Sequence, residues 1–112
     1  MKKIEAIIRR SKYRVVKEAL HDKGITFFSY WDVTGVGNEQ KGHVYRGISY
    51  STTDIQRRFL SIVVNDEFEE AAISAILDAG KTGEVGDGKV FVSDIKEAYR
   101  IRTSEKGGST LS

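Results

Sequence analysis

Apolar and polar residues alternate along the first stretch of the chain, KIEAII. Ile4, Ala6 and Ile8 fall on one face, whereas Glu5 and Ile7 fall on the other. A period of two predicts a β-strand. Three further runs, ITFFSYWDV, RFLSIVV and KVFVS, predict the remaining strands, and the first of them is rich in the aromatic and β-branched residues that strands favour.

Helical spacing follows the first and the third predicted strands. Ser11 is a candidate N-cap for the first helix, and Asp66 with Glu69 matches a capping box before the second. The apolar positions at helical spacing are Val16, Ala19 and Leu20 in the first helix and Phe68, Ala72, Ala75, Ile76 and Ala79 in the second. Two β-α-β halves predict an α+β protein, a ferredoxin-like βαββαβ sandwich with both helices on one face of an antiparallel sheet.

The length of 112 residues predicts a single domain over residues 1–112. A net charge of +2 is too small to argue for nucleic acid by itself, and the chain has no cysteine, which is compatible with the cytoplasm. No apolar run is long enough to cross a bilayer, and MKKIEAIIRR lacks the pattern of a signal peptide. With only His21 and His43, far apart in the sequence, a histidine-rich metal site is not expected.

The second face of the predicted sheet also carries apolar groups, such as Ile7. Because both helices cover the opposite face, this face would be bare on a monomer, which is unusual for a large apolar surface. The pattern therefore predicts that the face is buried against copies of the same chain.

Residues 35–56, GVGNEQKGHVYRGISYSTTDIQ, interrupt the regular pattern. They are mostly polar, include four glycines and show no sustained period. A long stretch of this kind predicts a functional or disordered loop. The end of the chain, from about Lys106, is expected to be flexible.

The stretch TGEVGDGK precedes the last predicted strand. Gly83, Gly86 and Gly88 let backbone amides approach an anion closely, and Lys89 adds a point charge. Arg100 and Arg102 are two apart and would point the same way in an extended segment. These residues fit a polyphosphate cradle or a tight turn with surface charges, and spacing alone leaves both open.

Five motifs together carry a resemblance that spans roughly residues 1–103: KKIEAIIR, VTGVG, QKGHVYRG, TGEVGDGKVFV and YRIRT. The chain resembles the PII signal-transduction family of GlnB- and GlnK-like nitrogen regulatory proteins. This resemblance implies a non-enzymatic homotrimer that binds ATP or ADP in clefts between subunits, with 2-oxoglutarate held beside ATP through Mg²⁺. It also implies a T-loop at 35–56, a phosphate-binding B-loop at 82–89 and a C-terminal segment at 95–112.

The resemblance assigns roles to individual residues. It implies that Ile7 and Val63 sandwich the adenine, with Ser29 nearby where the family usually has threonine. Ser61 stands where many members have glutamate. The positions implied for the rest of the nucleotide are Gly35, Gly37, Gly86, Asp87, Gly88 and Lys89, with Arg100 and Arg102 arriving from the neighbouring subunit or its edge.

The family's 2-oxoglutarate site matches Arg57, which replaces a lysine, and Gln40, which would help to hold Mg²⁺. Glu39 is an alternative oxygen ligand, because Mg²⁺ accepts carboxylate or amide oxygens. Asn38 replaces an arginine that is common in the family.

The T-loop implies partners. Arg46 matches the arginine that enters the pore of an ammonium transporter, so such a transporter or another nitrogen-metabolism protein is the expected target. Tyr50 matches the tyrosine that is uridylylated in many proteobacterial members, although it also fits a contact or strand-edge residue. The resemblance therefore implies a cytoplasmic protein that meets a membrane only through a protein partner.

Two other functions fit parts of the sequence. A nucleotide-hydrolysing or phosphotransfer enzyme would need a catalytic constellation, and Asp87 is the one candidate base near the glycine turn. An RNA-binding module would use aromatic residues on a central strand, such as Phe27, Phe28, Tyr30 and Trp31. Four aromatics within five positions point to both faces of a strand, which favours core or interface positions and no nucleic-acid partner.

Overall fold

The computed structural model describes residues 1–45 and 48–111, and describes side chains for residues 1–37 and 54–111. The helices and strands are β1 (Lys2–Ile8), α1 (Tyr13–Asp22), β2 (Ser29–Tyr45), β3 (Ile48–Val64), α2 (Glu69–Gly80) and β4 (Lys89–Asp94). Short 3-10 turns lie at Arg10–Lys12, Asp66–Phe68 and Gly108–Leu111.

The four strands form one antiparallel sheet in the order β2-β3-β1-β4. This order, with the two helices inserted after β1 and β3, is the ferredoxin-like βαββαβ arrangement, so the predicted fold class is confirmed. On the central strand, Ile7 lies opposite Phe59 of β3 and opposite Lys89 of β4.

The core lies between the sheet and the helices. Ile4, Ala6 and Ile8 are buried, as their alternation predicts, and Ile62 and Leu60 lie opposite the first two. The helices add Val16, Leu20, Ala72, Ala75 and Ile76. Each fully buried large aliphatic side chain stabilises the fold by roughly 1.5–3 kcal/mol, so this apolar layer holds the helices against the sheet.

Neither predicted helix cap forms. Each helix begins through a 3-10 turn, and no side chain caps it. Ser11 lies inside the first turn, where the backbone N–H of Lys12 is satisfied by the carbonyl of Arg9 at 3.0 Å. The carboxylate of Asp66 instead accepts a hydrogen bond from the N-terminal amine at 2.9 Å, which lowers the pKa of Asp66.

Residues 35–56 are not a loop over their described part, which corrects the expectation from their composition. The strands β2 and β3 continue through them as an antiparallel pair, with Gly35 opposite Ile55 and His43 opposite Tyr50, and the register shifts between Asn38 and His43. Two chain segments that leave neighbouring strands can satisfy each other's backbone groups without any side-chain period. We call residues 35–56 the arm.

The C-terminal segment also differs from expectation. Asn65 Nδ2 donates to the carbonyl of Gly108 at 3.0 Å, so the end of the chain packs against the turn after β3. The backbone N–H of Ser104 donates to the carbonyl of Arg100 at 2.8 Å. Arg100 and Arg102 therefore lie at a turn and not in an extended segment. No helix in the described part of the chain is long and apolar enough to cross a membrane.

Candidate functional site

A cleft of about 500 Å³ lies where the arm meets the glycine-rich turn before β4. It brings together six of the predicted nucleotide residues: Ile7, Gly35, Gly37, Gly86, Gly88 and Lys89. Arg57, predicted for 2-oxoglutarate, lines the same cleft. Most of the residues that the sequence assigns to one site thus meet in space.

Strand pairing explains this meeting. Ile7, near the end of β1, lies opposite Lys89, the first residue of β4. On β2 and β3, Val33 lies opposite Arg57 and Gly35 lies opposite Ile55. We call these residues, 33–35 and 55–57, the arm root. The end of β1, the start of β4 and the arm root therefore share one end of the sheet.

Residues 82–88, which we call the phosphate turn, need glycine at two positions. Gly88 has φ +101°, and a Cβ placed on it would lie 1.7 Å from the carbonyl oxygen of Ile7. Gly86 has φ +103°, and its Cβ would lie 3.0 Å from Arg57 Nη2. Left-handed backbone of this kind favours glycine. At these two positions no side chain covers the peptide groups, so they can approach an anion closely.

The carboxylate of Asp87 organises the phosphate turn from inside. It accepts hydrogen bonds from the Thr82 hydroxyl, from the backbone N–H groups of Thr82 at 2.8 Å and Gly83 at 2.9 Å, and from Arg9 Nε at 3.0 Å. The bonds from Thr82, followed by those from Arg9 and Gly83, hold the pKa of Asp87 well below its ordinary value. A carboxylate that is so firmly ionised and fully engaged is a poor general base, which weighs against the enzyme alternative.

Two guanidinium groups hold successive carbonyls of the phosphate turn. Arg9 Nη2 donates to the carbonyl of Val85 at 3.1 Å, and Arg57 Nε donates to that of Gly86 at 3.1 Å. The sequence did not point to Arg9. Its signal is strand adjacency, because the residue after β1 must lie beside the residues before an antiparallel β4.

Ser29 and Val63 lie elsewhere on the open face, by which we mean the face of the sheet away from the helices. Ser29 lies opposite Ser61, and Val63 lies opposite Lys3. Because Lys3 and Ile7 are four residues apart on β1, Ile7 and Val63 are separated by about 13 Å along the strand. Within one protomer they do not form two walls of one slot.

The arginines of the C-terminal segment do not line the cleft within the described protomer. Arg100 donates to Glu105 Oε2 at 3.3 Å and to the carbonyl of Ser109 at 3.4 Å. Arg102 is exposed. Their predicted contribution to a neighbouring subunit's site stays a prediction.

Four predicted residues of the arm lie outside the described side chains. Gln40 and the alternative ligand Glu39 are on β2, Tyr50 is on β3, and Arg46 lies outside the described residues altogether. Among the described residues, no group of three His, Asp or Glu side chains is placed to hold a metal ion.

The described aromatic side chains of β2 divide between the two faces of the sheet. Tyr30 packs on Tyr13 of the helical layer, with ring centroids 4.7 Å apart. Trp31 stacks on Phe59 on the open face, also at 4.7 Å. This division matches the expectation that these aromatics point to both faces of the strand. Among the described side chains of β2, Trp31 is the one aromatic on the open face, not the row that an RNA-binding strand presents.

Comparison with known proteins gives the family. The family model described as nitrogen regulatory protein P-II matches residues 1–105. A nitrogen regulatory protein P-II from Azospirillum brasilense is 46% identical over 99% of this chain and all of its own length. The chain belongs to the P-II family of nitrogen regulatory proteins.

Other P-II relatives agree over nearly the whole chain. One from Bradyrhizobium diazoefficiens is 48% identical over 96% of both chains, and one from Pasteurella multocida is 45% identical over 99% of this chain and all of its own. These P-II proteins are named for regulation and not for a reaction, so the family resemblance and its non-enzymatic role are confirmed.

Proposed function

We propose that this P-II protein is a sensor that binds ATP or ADP in the cleft and reports its occupancy to a target protein through the arm. The supporting observation is the hydrogen bond from Arg57 Nε to the carbonyl of Gly86. It joins the root of the arm to the phosphate turn, so a ligand that displaces one affects the other.

The cleft has the chemistry that a nucleotide requires. Its volume of about 500 Å³ lies within the roughly 300–1,000 Å³ that is usual for ligand pockets. The glycine backbone of the phosphate turn and the ammonium of Lys89 suit phosphate oxygens. Ile7 supplies an apolar surface for the adenine.

The site is proposed to be completed by a neighbouring protomer in a homotrimer. The protomer leaves Trp31 and Phe91 about half exposed on the open face. It also leaves Arg102 exposed beyond β4. A second copy seated on this face would cover the apolar groups and bring cations to the phosphates.

Magnesium and 2-oxoglutarate are proposed as further ligands of the arm root. The amide oxygen of Gln40, or the carboxylate of Glu39, suits Mg²⁺, which would neutralise phosphate charge. Arg57 suits a carboxylate of 2-oxoglutarate, because a guanidinium binds such a group through two parallel hydrogen bonds. A carboxylate of 2-oxoglutarate would compete with the Gly86 carbonyl for the guanidinium of Arg57. The protein with 2-oxoglutarate bound and the free protein would therefore favour different positions of the arm root.

The proposed target is a protein of nitrogen metabolism, such as an ammonium transporter that receives Arg46, with Tyr50 as a site of modification. Three arms on one trimer would engage a threefold-symmetric partner together and gain avidity. The protein would act in the cytoplasm and reach a membrane through that partner.

Calorimetric titration tests the proposal with ATP, with ADP, and with ATP plus Mg²⁺ and 2-oxoglutarate. Lys89→Ala should weaken ATP binding by about tenfold or more, since a charge-assisted contact to phosphate is lost. Lys96→Ala, which removes an exposed lysine beyond β4, is the matched control. The absence of heat with every ligand in the unaltered protein would refute the sensor.

A further inference from the structure

Two opposite charges lie side by side on β1, within the open face. Lys3 and Glu5 flank the buried Ile4 along the strand, so both side chains lie on the face away from the helices. Lys3 Nζ is 3.8 Å from Glu5 Oε2, and the two side chains are 37% and 30% exposed. Within the described part of the chain, this is the one ion pair that either side chain makes.

The cross-strand neighbours of this pair are uncharged. They are Ser61 and Phe91 beside Glu5, and Val63 and Ser93 beside Lys3. A carboxylate and an ammonium can each form several hydrogen bonds, whereas a contact of 3.8 Å is longer than a hydrogen bond. In the protomer, much of the hydrogen-bonding capacity of both groups is therefore left to solvent.

A surface that covers the open face has to satisfy both charges. A carboxylate or an ammonium that is buried without a partner is costly, and only an opposite charge in good geometry offsets that cost. One cation beside one anion is complementary to one anion beside one cation, which a second copy of the same face presents. Phe91, half exposed opposite Glu5, adds apolar surface to the same contact. A polyanion such as a nucleic acid would instead be repelled by Glu5.

We propose that the partner of the open face is a second copy of this chain, seated so that Lys3 of one copy pairs with Glu5 of the next. This inference rests on the proposed homotrimer and adds the contact that aligns its copies. In a closed ring, every interface joins the same two patches. Each Lys3 therefore meets one Glu5, and no charge of either kind is left unpaired.

The pairing between copies decides their alignment more than the strength of their assembly. The desolvation of two charges offsets much of the attraction between them in an interface, so a correctly formed pair adds little affinity. Like charges that face each other are strongly unfavourable. An arrangement that places Lys3 on Lys3, or Glu5 on Glu5, is therefore excluded.

Two charge-reversed chains test this contact by native mass spectrometry of the full-length protein. Lys3→Glu carries two carboxylates on the face and Glu5→Lys carries two ammonium groups, so each alone should assemble about tenfold less tightly or worse. When the two are mixed, one of them carrying a heavy-nitrogen label, mixed trimers should exceed the random proportion. Mixing cannot restore a pair within one protomer, so this excess reports contact between copies.

The matched control reverses an ion pair away from the open face. Arg14 Nε lies 3.3 Å from Glu18 Oε1 on the outer surface of α1. The chains Arg14→Glu and Glu18→Arg should each assemble like the unaltered protein and should mix at random.

Neutral variants provide a second test that does not depend on the folding of the charge-reversed chains. Lys3→Gln and Glu5→Gln each leave one charge unpaired in the interface, so each should weaken assembly. A chain that carries both changes should be weakened by less than the sum of the two effects.

The outcomes separate the ion pair from the assembly itself. Random mixing of the Lys3→Glu and Glu5→Lys chains, or assembly of the neutral variants as tight as that of the unaltered protein, would overturn the pairing and leave the trimer and the sensor intact. An unaltered protein that stays a monomer would instead refute the proposed homotrimer, and the pairing with it.

Discussion

Gly88 and Gly83 have similar backbone conformations in the phosphate turn but different surroundings. Their φ angles are +101° and +89°. A Cβ on Gly88 would meet the carbonyl of Ile7, whereas a Cβ on Gly83 would meet nothing within 4 Å. The pair therefore separates two reasons for glycine: the left-handed backbone, which both share, and the close approach to β1, which only Gly88 makes.

Replacing each glycine by alanine measures how much the left-handed backbone and the close approach to β1 each contribute to the need for glycine. Gly83→Ala should cost about 1–2 kcal/mol of unfolding free energy, the usual penalty of left-handed backbone with a Cβ. Gly88→Ala should cost more than about 3 kcal/mol, because it must also push β1 and β4 apart. Urea denaturation gives both values, and equal losses would mean that the approach to Ile7 does not constrain the turn.

Asp87 predicts a pH dependence whose sign follows from its lowered pKa. Its ordinary pKa of 3.8 applies in the unfolded chain, and the folded value lies below it. The carboxylate therefore stabilises the fold fully above about pH 4, and this contribution is lost as the pH falls below that value toward the folded pKa.

The measurement compares Asp87→Asn with the unaltered protein in urea, from about pH 7 down to the lowest pH at which both fold. The difference in unfolding free energy should be constant at higher pH and shrink below about pH 4. Glu84→Gln, a nearby exposed carboxylate, is the control and should show no such trend. A difference for Asp87→Asn that stays constant down to the lowest pH would show that its charge is not what holds the turn.

The elements that the sequence predicted are those with strong local signals. The alternation of Ile4, Ala6 and Ile8 and the helical spacing of Val16 and Leu20 depend on neighbouring residues alone, and both reappear as buried faces. The arm gave no such signal, because its strands are held by backbone pairing between segments distant in sequence. Polar composition does not report that pairing.

Local sequence patterns also could not predict the contacts between helices, strands and turns that are distant in sequence. Arg9 reaches Asp87 across 78 residues, and Asp66 is taken by the chain terminus 65 residues away. The first contact organises the phosphate turn, and the second removes the carboxylate that a capping box needs. The glycines and Lys89 were found because the turn chemistry is local, whereas the groups that shape the turn come from β1 and the arm root.

At the scale of the whole molecule, the sheet has one covered face and one that is partly bare. The helices bury Ile4, Leu60 and Ile62 completely, while Phe91 on the open face is 51% exposed and Trp31 is 47% exposed. An apolar face of this kind on a small domain favours association with further copies. The proposed homotrimer accounts for both the bare face and the exposed Arg102.

Phe91→Asp tests this assembly, because a carboxylate buried in an apolar interface lacks a partner and is costly. Light scattering should give three times the chain mass of 12.5 kDa for the unaltered protein and a smaller assembly for the variant. Val15→Asp changes an apolar residue of similar exposure, 42%, on α1, and should leave the trimer intact. Since neighbouring arginines are proposed to reach the phosphates, Phe91→Asp should also weaken ATP binding. A dissociated variant that binds ATP as tightly as the trimer would place the whole nucleotide site within one protomer.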